Sequence, residues 1–261
     1  NDGTIESLIR KFLKAGCVTS EGFEETEVGT PQGGPLSPLL SNIYLDELDK
    51  ELEARGLRFC RYADDVVILV KSHIAARRVM KSVVSFIERR MKLKVNAEKT
   101  KIVPPNGLTY LGYSFYKDNE RWRAHVSEEK FSSPKSKVRI LTKRNDPTKT
   151  QEMCKRLTRL FRGWINYFKK GSMKNSLTVI SGWIRTKIRI VIWKQWKVCD
   201  KQIKSLVKLG IPLEEAKGLT YCRKGYQFIA HSCVVNRAIS NERLKKRGLV
   251  SPLEYYLTKI A

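Results

Sequence analysis

Asp64 and Asp65 are neighbouring acids inside the run Phe59-Cys60-Arg61-Tyr62-Ala63-Asp64-Asp65-Val66-Val67-Ile68-Leu69-Val70. β-Branched and aromatic residues flank the acidic break, which predicts a β-hairpin with Ala63-Asp64-Asp65 at its tip. Strand residues alternate faces, but at a tight turn two adjacent carboxylates can converge on one point. Each carboxylate then raises the proton affinity of the other. A hard divalent cation removes that repulsion, and oxygen ligands suit Mg2+. Asp is also a common turn residue, so the pair alone leaves an ordinary turn and a metal site both open.

The elements around the hairpin are legible in outline. Ile5, Leu8, Ile9, Phe12 and Leu13 have helical spacing, with Gly16 as the stop. Glu21 to Glu27 reads as an acidic, extended connector. Gly29-Thr30-Pro31-Gln32-Gly33-Gly34-Pro35-Leu36-Ser37-Pro38-Leu39-Leu40-Ser41-Asn42 is a glycine–proline segment whose backbone can approach a nucleic-acid strand closely. It serves equally as a loop that starts a helix, with Ser37 as N-cap and Pro38 as the first helical residue. Leu39, Leu40, Ile43, Leu48 and Leu52 form the buried stripe expected of that helix, and Asp46, Glu47, Asp49 and Glu51 its solvated face. After the hairpin, Ala76, Met80, Val83, Val84, Ile87 and Met91 predict a helix over about 74–92, then a short strand at Leu93-Lys94-Val95. Leu108 to Phe115 reads as a strand with Gly112 as a thin point, and Arg121 to Val126 pairs back on it.

Charge divides the chain. Among its 261 residues the net charge is +25; residues 1–130 carry 21 Lys+Arg against 19 Asp+Glu, and residues 131–261 carry 30 against 7. A nearly neutral half bearing carboxylates, joined to a strongly basic half, predicts a catalytic module beside a clamp for a polyanion. Composition shifts around Phe131–Pro147, where Ser132-Ser133-Pro134 and Asn145-Asp146-Pro147 punctuate the chain and acids nearly vanish, which places a boundary near 130. Two long basic helices follow: Met153, Leu157, Leu160, Phe161, Trp164, Ile165 and Phe168 stripe the first, and Leu177, Ile180, Ile184, Ile188, Val191 and Ile192 the second. Arg156, Arg159, Arg162, Arg185, Arg189, Lys194 and Lys197 lie between the apolar positions as candidate phosphate contacts, with Arg223 and Lys224 further on. The six cysteines (17, 60, 154, 199, 222, 233) show no C-x-x-C pair, which argues against zinc and for reduced thiols. No apolar run approaches membrane-spanning length, the start lacks a cleavable signal pattern, and His73, His125 and His231 are isolated.

Three or more of these motifs, in this order, resemble those of reverse transcriptases, and above all the reverse transcriptase/maturase encoded by bacterial group II introns. Tyr62-Ala63-Asp64-Asp65 resembles the family's metal-binding hairpin, and Gly29–Asn42 the motif before it. Asn96-Ala97-Glu98-Lys99-Thr100-Lys101 resembles the motif that sets a lysine near the incoming triphosphate; a solvated surface lysine is the alternative for Lys99. Leu108–Phe115 resembles the motif that braces the primer terminus. Trp164-Ile165-Asn166-Tyr167-Phe168 and Trp193-Lys194-Gln195-Trp196-Lys197 resemble the maturase thumb, domain X, and the residues from 201 onward a small DNA-binding segment.

The resemblance implies an α+β fold. Residues 1–130 would form a partial polymerase palm, an antiparallel sheet with helices on one face; residues 131–200 an all-α basic thumb; and residues 201–261 a C-terminal nucleic-acid-binding segment. It implies catalytic roles for Asp64, Asp65 and Lys99, metal binding by Asp64 and Asp65, and two Mg2+ ions in the complete enzyme. Pro31, Gln32, Gly33, Tyr62 and Ala63 would meet template or nucleotide, and Leu111 and Gly112 the primer. Implied partners are intron RNA, a DNA primer or target and deoxynucleoside triphosphates, in a bacterial cytoplasm on nucleoid or ribonucleoprotein; a homodimer or a separate N-terminal piece stays open. The family's motif with a third aspartate and a deoxynucleotide-selecting residue finds no match, nor does the finger region before it. The expectation is therefore a fragment with little polymerase activity by itself. A maturase that binds intron RNA without chemistry is the main alternative; a nucleotide cyclase is more distant, because it needs no long phosphate clamp.

Overall fold

The computed structural model describes residues 2–19, 22–24, 34 and 36–260. The chain divides into two compact units, Asn1–Val103 and Pro104–Ala261. The expected boundary near 130 reflects composition, whereas this division follows packing.

In the first unit, α1 (Gly3–Lys14) starts at Asp2, whose carboxylate accepts from the Thr4 N–H at 2.9 Å. A short hairpin, β1 (Cys17–Thr19) with β2 (Gly22–Glu24), follows. Helix α2 (Ser37–Ala54) begins one residue earlier than expected: Leu36 is the N-cap and Pro38 sits inside the first turn. Proline is harmless there because first-turn N–H groups have no helical partner. Only Leu48 and Leu52 of the expected stripe are buried; Leu39 and Ile43 are exposed. Strands β3 (Arg58–Tyr62) and β4 (Asp65–Leu69) pair antiparallel, with Phe59 opposite Ile68 and Arg61 opposite Val66. Helix α3 (His73–Arg89) is capped by Ser72, whose hydroxyl accepts from the Ala75 N–H at 3.2 Å. The core of this unit is small: Leu48, Leu52, Val83 and Met91, with Phe59, Val66, Ile68 and Phe86 packed around them. The strand expected at Leu93–Val95 is irregular. Lys92 turns the chain at φ +55°, and the Met91 carbonyl accepts from the Tyr44 hydroxyl, which ends regular structure there.

The second unit opens with a 3-10 turn (Pro105–Gly107) and a three-stranded antiparallel meander: β5 (Thr109–Tyr110), β6 (Tyr113–Asp118) and β7 (Arg121–Val126). Leu108–Phe115 is thus a hairpin rather than one strand. Leu111 and Gly112 both have positive φ, +51° and +80°, the pattern of a type I′ turn. Among the described residues the strands make three separate antiparallel sheets, not the single sheet expected of a palm. The meander belongs to the helical unit because its turn is embedded there: a Cβ on Gly112 would lie 2.9 Å from Lys130 Cγ and 3.1 Å from Phe168 Cε1.

Helix α4 (Glu128–Leu141) runs through the Ser132-Ser133-Pro134 punctuation. Pro134 cannot donate to the Lys130 carbonyl four residues back. The Trp164 indole N–H donates to it instead, at 3.3 Å, which ties α4 to α5 (Thr150–Phe168). Helix α6 (Lys174–Gln195) buries Leu177, Ile180, Ile184, Ile188, Val191 and Ile192, the full expected stripe. Six shorter helices follow: α7 (Cys199–Lys208), α8 (Leu213–Thr220), α9 (Tyr226–His231), α10 (Cys233–Ala238), α11 (Asn241–Lys246) and α12 (Pro252–Ile260). One apolar core runs from Val126 through α5 and α6 to Tyr256, so the last sixty residues share the interior of α5 and α6. Buried hydroxyls fasten the tail: Thr158 donates to the Gly248 carbonyl at 2.8 Å and accepts from the Val250 N–H at 3.0 Å. Among the described residues no helix is long and apolar enough to cross a membrane.

Two outcomes follow. Gly112→Ala places a Cβ in a left-handed position against Phe168 and is expected to destabilise the second unit by about 2–4 kcal/mol, read by urea unfolding; an unchanged midpoint would contradict this packing. Burial in the α5 core pushes the Cys154 thiol up to about 11, with Arg247 pulling weakly the other way. Iodoacetamide at pH 8 should therefore alkylate exposed Cys60, Cys199 and Cys233 at least about a hundredfold faster than Cys154, as resolved by peptide mass mapping.

Candidate functional site

The β3–β4 hairpin closes at Tyr62 opposite Asp65, leaving Ala63 and Asp64 as a two-residue loop. Ala63 adopts φ +52°, a left-handed conformation that costs an L-residue about 1–2 kcal/mol. Arg61 donates to its carbonyl and helps to hold it there. Its guanidinium donates to both oxygens of Asp49, at 2.8 and 3.0 Å from Nε and 2.5 Å from Nη2. Nη1 reaches the Asn42 side-chain oxygen at 2.9 Å and the Ala63 carbonyl at 2.9 Å. One planar fork therefore fixes α2, strand β3 and the turn carbonyl to each other. The pair is shielded, with side-chain exposures of 12% for Arg61 and 23% for Asp49, so its charge-assisted bonds are stronger than those of an ordinary surface pair. The sequence pattern places Asp49 on a solvated face and assigns Arg61 no role. Asn42, at the end of the glycine–proline motif, was the available signal.

With the turn fixed, Tyr62, Asp64 and Asp65 are all exposed at the tip, Tyr62 to 65%. The structure brings Tyr62, Ala63, Asp64 and Asp65 into one turn. Among the described residues no three His, Cys, Asp or Glu side chains gather as a closed metal cage. The donor set still fits Mg2+, which takes one or two carboxylates and completes its octahedron with water and substrate phosphates. Pro31, Gln32 and Gly33 lie outside the described residues. Lys99 is exposed in a turn organised by Asn96, whose side chain accepts from the Glu98 and Lys99 N–H groups at 3.1 and 3.2 Å. Leu111 and Gly112 form the I′ turn of the second unit.

The basic candidates of the second unit do not behave alike. Arg156 and Arg159 are exposed and both pair with Glu152, at 3.0 and 3.2 Å. Hydrogen bonding from Arg156, and then the surrounding positive charge, hold the Glu152 carboxyl below its usual range. Arg162 lies 5.5 Å above the Tyr255 ring, Lys194 5.9 Å from Tyr226 and Lys224 4.2 Å from Phe228. Lys197 and Arg223 are exposed. Arg189 departs from expectation: it is buried, and its guanidinium donates to the Ile239 carbonyl at 3.2 and 3.1 Å and to Asn241 at 3.4 Å. It caps the end of α10 rather than presenting charge on the surface.

Comparison with known proteins adds to this geometry. The family model described as reverse transcriptase (RNA-dependent DNA polymerase) matches residues 3–115, and that described as group II intron, maturase-specific domain matches residues 132–209. The chain is 31% identical over 157 residues to protein YkfC of Escherichia coli, covering 47% of this chain and 41% of that protein. It is 37% identical over 102 residues to the group II intron-encoded protein LtrA of Lactococcus lactis, covering 39% of this chain and 16% of that protein. A putative COX1/OXI3 intron 2 protein of Saccharomyces cerevisiae is 27% identical over 165 residues, covering 41% of this chain and 19% of that protein. The chain thus spans less than half the length of these relatives.

Replacing Arg61 by Met removes the fork and leaves Asp49 without its cation. The first unit should lose about 1.5–3 kcal/mol in urea unfolding, and Arg61→Lys should restore less than half of it, because an ammonium cannot make the planar set of bonds. A loss below about 0.5 kcal/mol in Arg61→Met would contradict the assigned role.

Proposed function

The chain belongs to the family of group II intron-encoded reverse transcriptase/maturases, and from that premise we propose that it carries the metal-binding part of an RNA-directed DNA polymerase palm together with an RNA-gripping maturase thumb. The observation that carries the polymerase half is the exposed Asp64-Asp65 turn, held by the Arg61 fork. On this reading Asp64 holds the divalent ions and Asp65 supports it. Mg2+ bound there supplies Lewis acidity toward the primer hydroxyl and the leaving pyrophosphate. Asp64 and Asp65 orient that charge at the tip of a rigid hairpin, Lys99 meets the negative charge of the triphosphate, and Pro31, Gln32 and Gly33 face template or nucleotide with Tyr62 and Ala63. Leu111 and Gly112 brace the primer. Functional boundaries near 130 and 200 separate palm, thumb and DNA-binding segment.

A second reading has its own support. The excess of basic over acidic residues beyond residue 131, much of it exposed, favours binding of intron RNA and assistance of its splicing without chemistry. Arg156, Arg159, Arg162, Arg185, Lys194, Lys197, Arg223 and Lys224 supply the phosphate contacts in either case.

Asp64→Asn and Asp65→Asn separate the two. Measured by Mg2+-dependent primer extension on an RNA template in the protein that contains this chain, each should lower cDNA synthesis at least about a hundredfold. Intron RNA affinity and splicing support should stay within about twofold. Unchanged synthesis would remove the catalytic reading; loss of RNA binding as well would show that the hairpin and the basic surface are not separable.

A further inference from the structure

An open cavity of about 420 Å3 lies on α6 and α9, away from the carboxylate hairpin in sequence and confined to the second unit. Its size falls in the ~300–1,000 Å3 range of small-molecule sites. Gly182, Trp183, Arg185 and Arg189 line it from α6, and Gln227 and His231 from α9. Gly182 leaves the floor open: an added Cβ there would meet only Arg185 Nη2, at 4.0 Å. Trp183 supplies an aromatic wall. Arg139 and Lys187 stand 5.9 and 5.7 Å from its ring centroid, adding positive charge nearby. Gln227 Nε2 sits 3.1 Å from His231 Nε2, so an amide and an imidazole face the space together with donors and acceptors to offer.

Among the described residues the charge in this cavity lacks a counterion. Arg189 is buried against neutral acceptors only, the Ile239 carbonyl and Asn241. Burial first, and the neighbouring Arg185 second, disfavour its protonated form. No ion pair is made to Arg185 or Arg189 among the described residues. An anion entering beside Arg185 would relieve that repulsion. A bare phosphate would use the guanidinium but leave the aromatic wall and the amide–imidazole edge idle. A base carrying a phosphate uses all three.

We propose that this cavity is a nucleotide pocket that receives one unstacked residue of a folded or single-stranded nucleic acid, with its base against Trp183, its edge read by Gln227 and His231, and its phosphate on Arg185. The pocket gives the basic surface a way to prefer a bulge or loop over plain duplex, which phosphate contacts alone do not provide. It deepens the nucleic-acid reading of the second unit and rests on it.

The test uses the full chain and a short RNA duplex bearing a single bulged 2-aminopurine, against the same duplex fully paired, with AMP as competitor. The bulged RNA should bind about tenfold tighter, in line with stacking of one base on an aromatic ring, and 2-aminopurine emission should fall on binding. Gly182→Met fills the cavity from the helix without removing charge; it should abolish the tenfold preference and the quenching while leaving duplex affinity within twofold. Gly182→Ala should keep both. Should Gly182→Met fail to fold, Arg185→Gln in the same assay takes its place and should reduce the preference at least threefold. Competition by AMP assigns the cavity to free nucleotides as well as to strands, and its failure assigns it to strands; both support the pocket provided Gly182→Met is sensitive. Equal affinity for bulged and paired RNA, or a preference that survives Gly182→Met and Arg185→Gln, overturns the pocket. Absence of duplex binding by the unaltered chain overturns instead the nucleic-acid reading beneath it.

Discussion

The guanidinium of Arg61 makes bonds to three places at once: Asp49 and Asn42 on α2, and the carbonyl of Ala63 at the hairpin tip. Few side chains can do this, because the geometry demands a rigid planar set of donors. One of those bonds falls on the carbonyl of Ala63, the residue that takes the left-handed conformation in the two-residue loop. Among the described residues the buried core of the first unit is small, Leu48, Leu52, Val83 and Met91 with their partly buried neighbours. A small core and a strained turn bearing two exposed acids are reconciled by one shielded ion pair. The proposed polymerase role gives that arrangement its meaning: a charged tip that is to gather metal and nucleotide would have to be held still, and backbone strain persists only where the surroundings over-determine it.

How much of this could be read from the residues varies with the physics involved. The hairpin was legible because its alternation and its acidic break are local. The α6 stripe was legible because all its apolar residues return at helical spacing and are all buried. The α2 stripe was only half right, since periodicity identifies a face but not what covers it; Leu39 and Ile43 share the pattern of Leu48 and Leu52 yet are exposed. The strand at Leu93–Val95 failed because Lys92 and the Tyr44 contact, both tertiary effects, redirect the chain. Ser132-Ser133-Pro134 looked like a break and lies inside α4, because an indole from another helix replaces the hydrogen bond that proline removes. Leu108–Phe115 contained a turn invisible to composition, where leucine takes a positive φ beside a glycine that the packing of Lys130 and Phe168 requires.

Net charge is a coarser guide than position. The second unit's basic residues divide into those that face solvent and those that hold the fold. Arg189 closes the end of α10, and Arg243 does similar work, donating from Nη1 to the Leu209 carbonyl at 2.8 Å and the Ala238 carbonyl at 2.6 Å. These guanidiniums satisfy helix C-terminal carbonyls that short helices leave open. The short helices of the tail depend on such side chains and on the Thr158 hydroxyl for their placement over α5 and α6. Arg189 and Arg243 are thus structural, unlike the exposed basic side chains of the same unit.

The claim on which the account turns is that the fixed tip binds a divalent ion through Asp64 and Asp65. Paramagnetic broadening of backbone amide signals by Mn2+, used in place of Mg2+, measures this without any catalytic readout. The account predicts broadening centred on residues 62–66 at sub-millimolar Mn2+, lost in the double variant Asp64→Asn, Asp65→Asn and weakened in Arg61→Met. Broadening that is centred elsewhere in the chain, or that is indifferent to loss of both carboxylates, would contradict it.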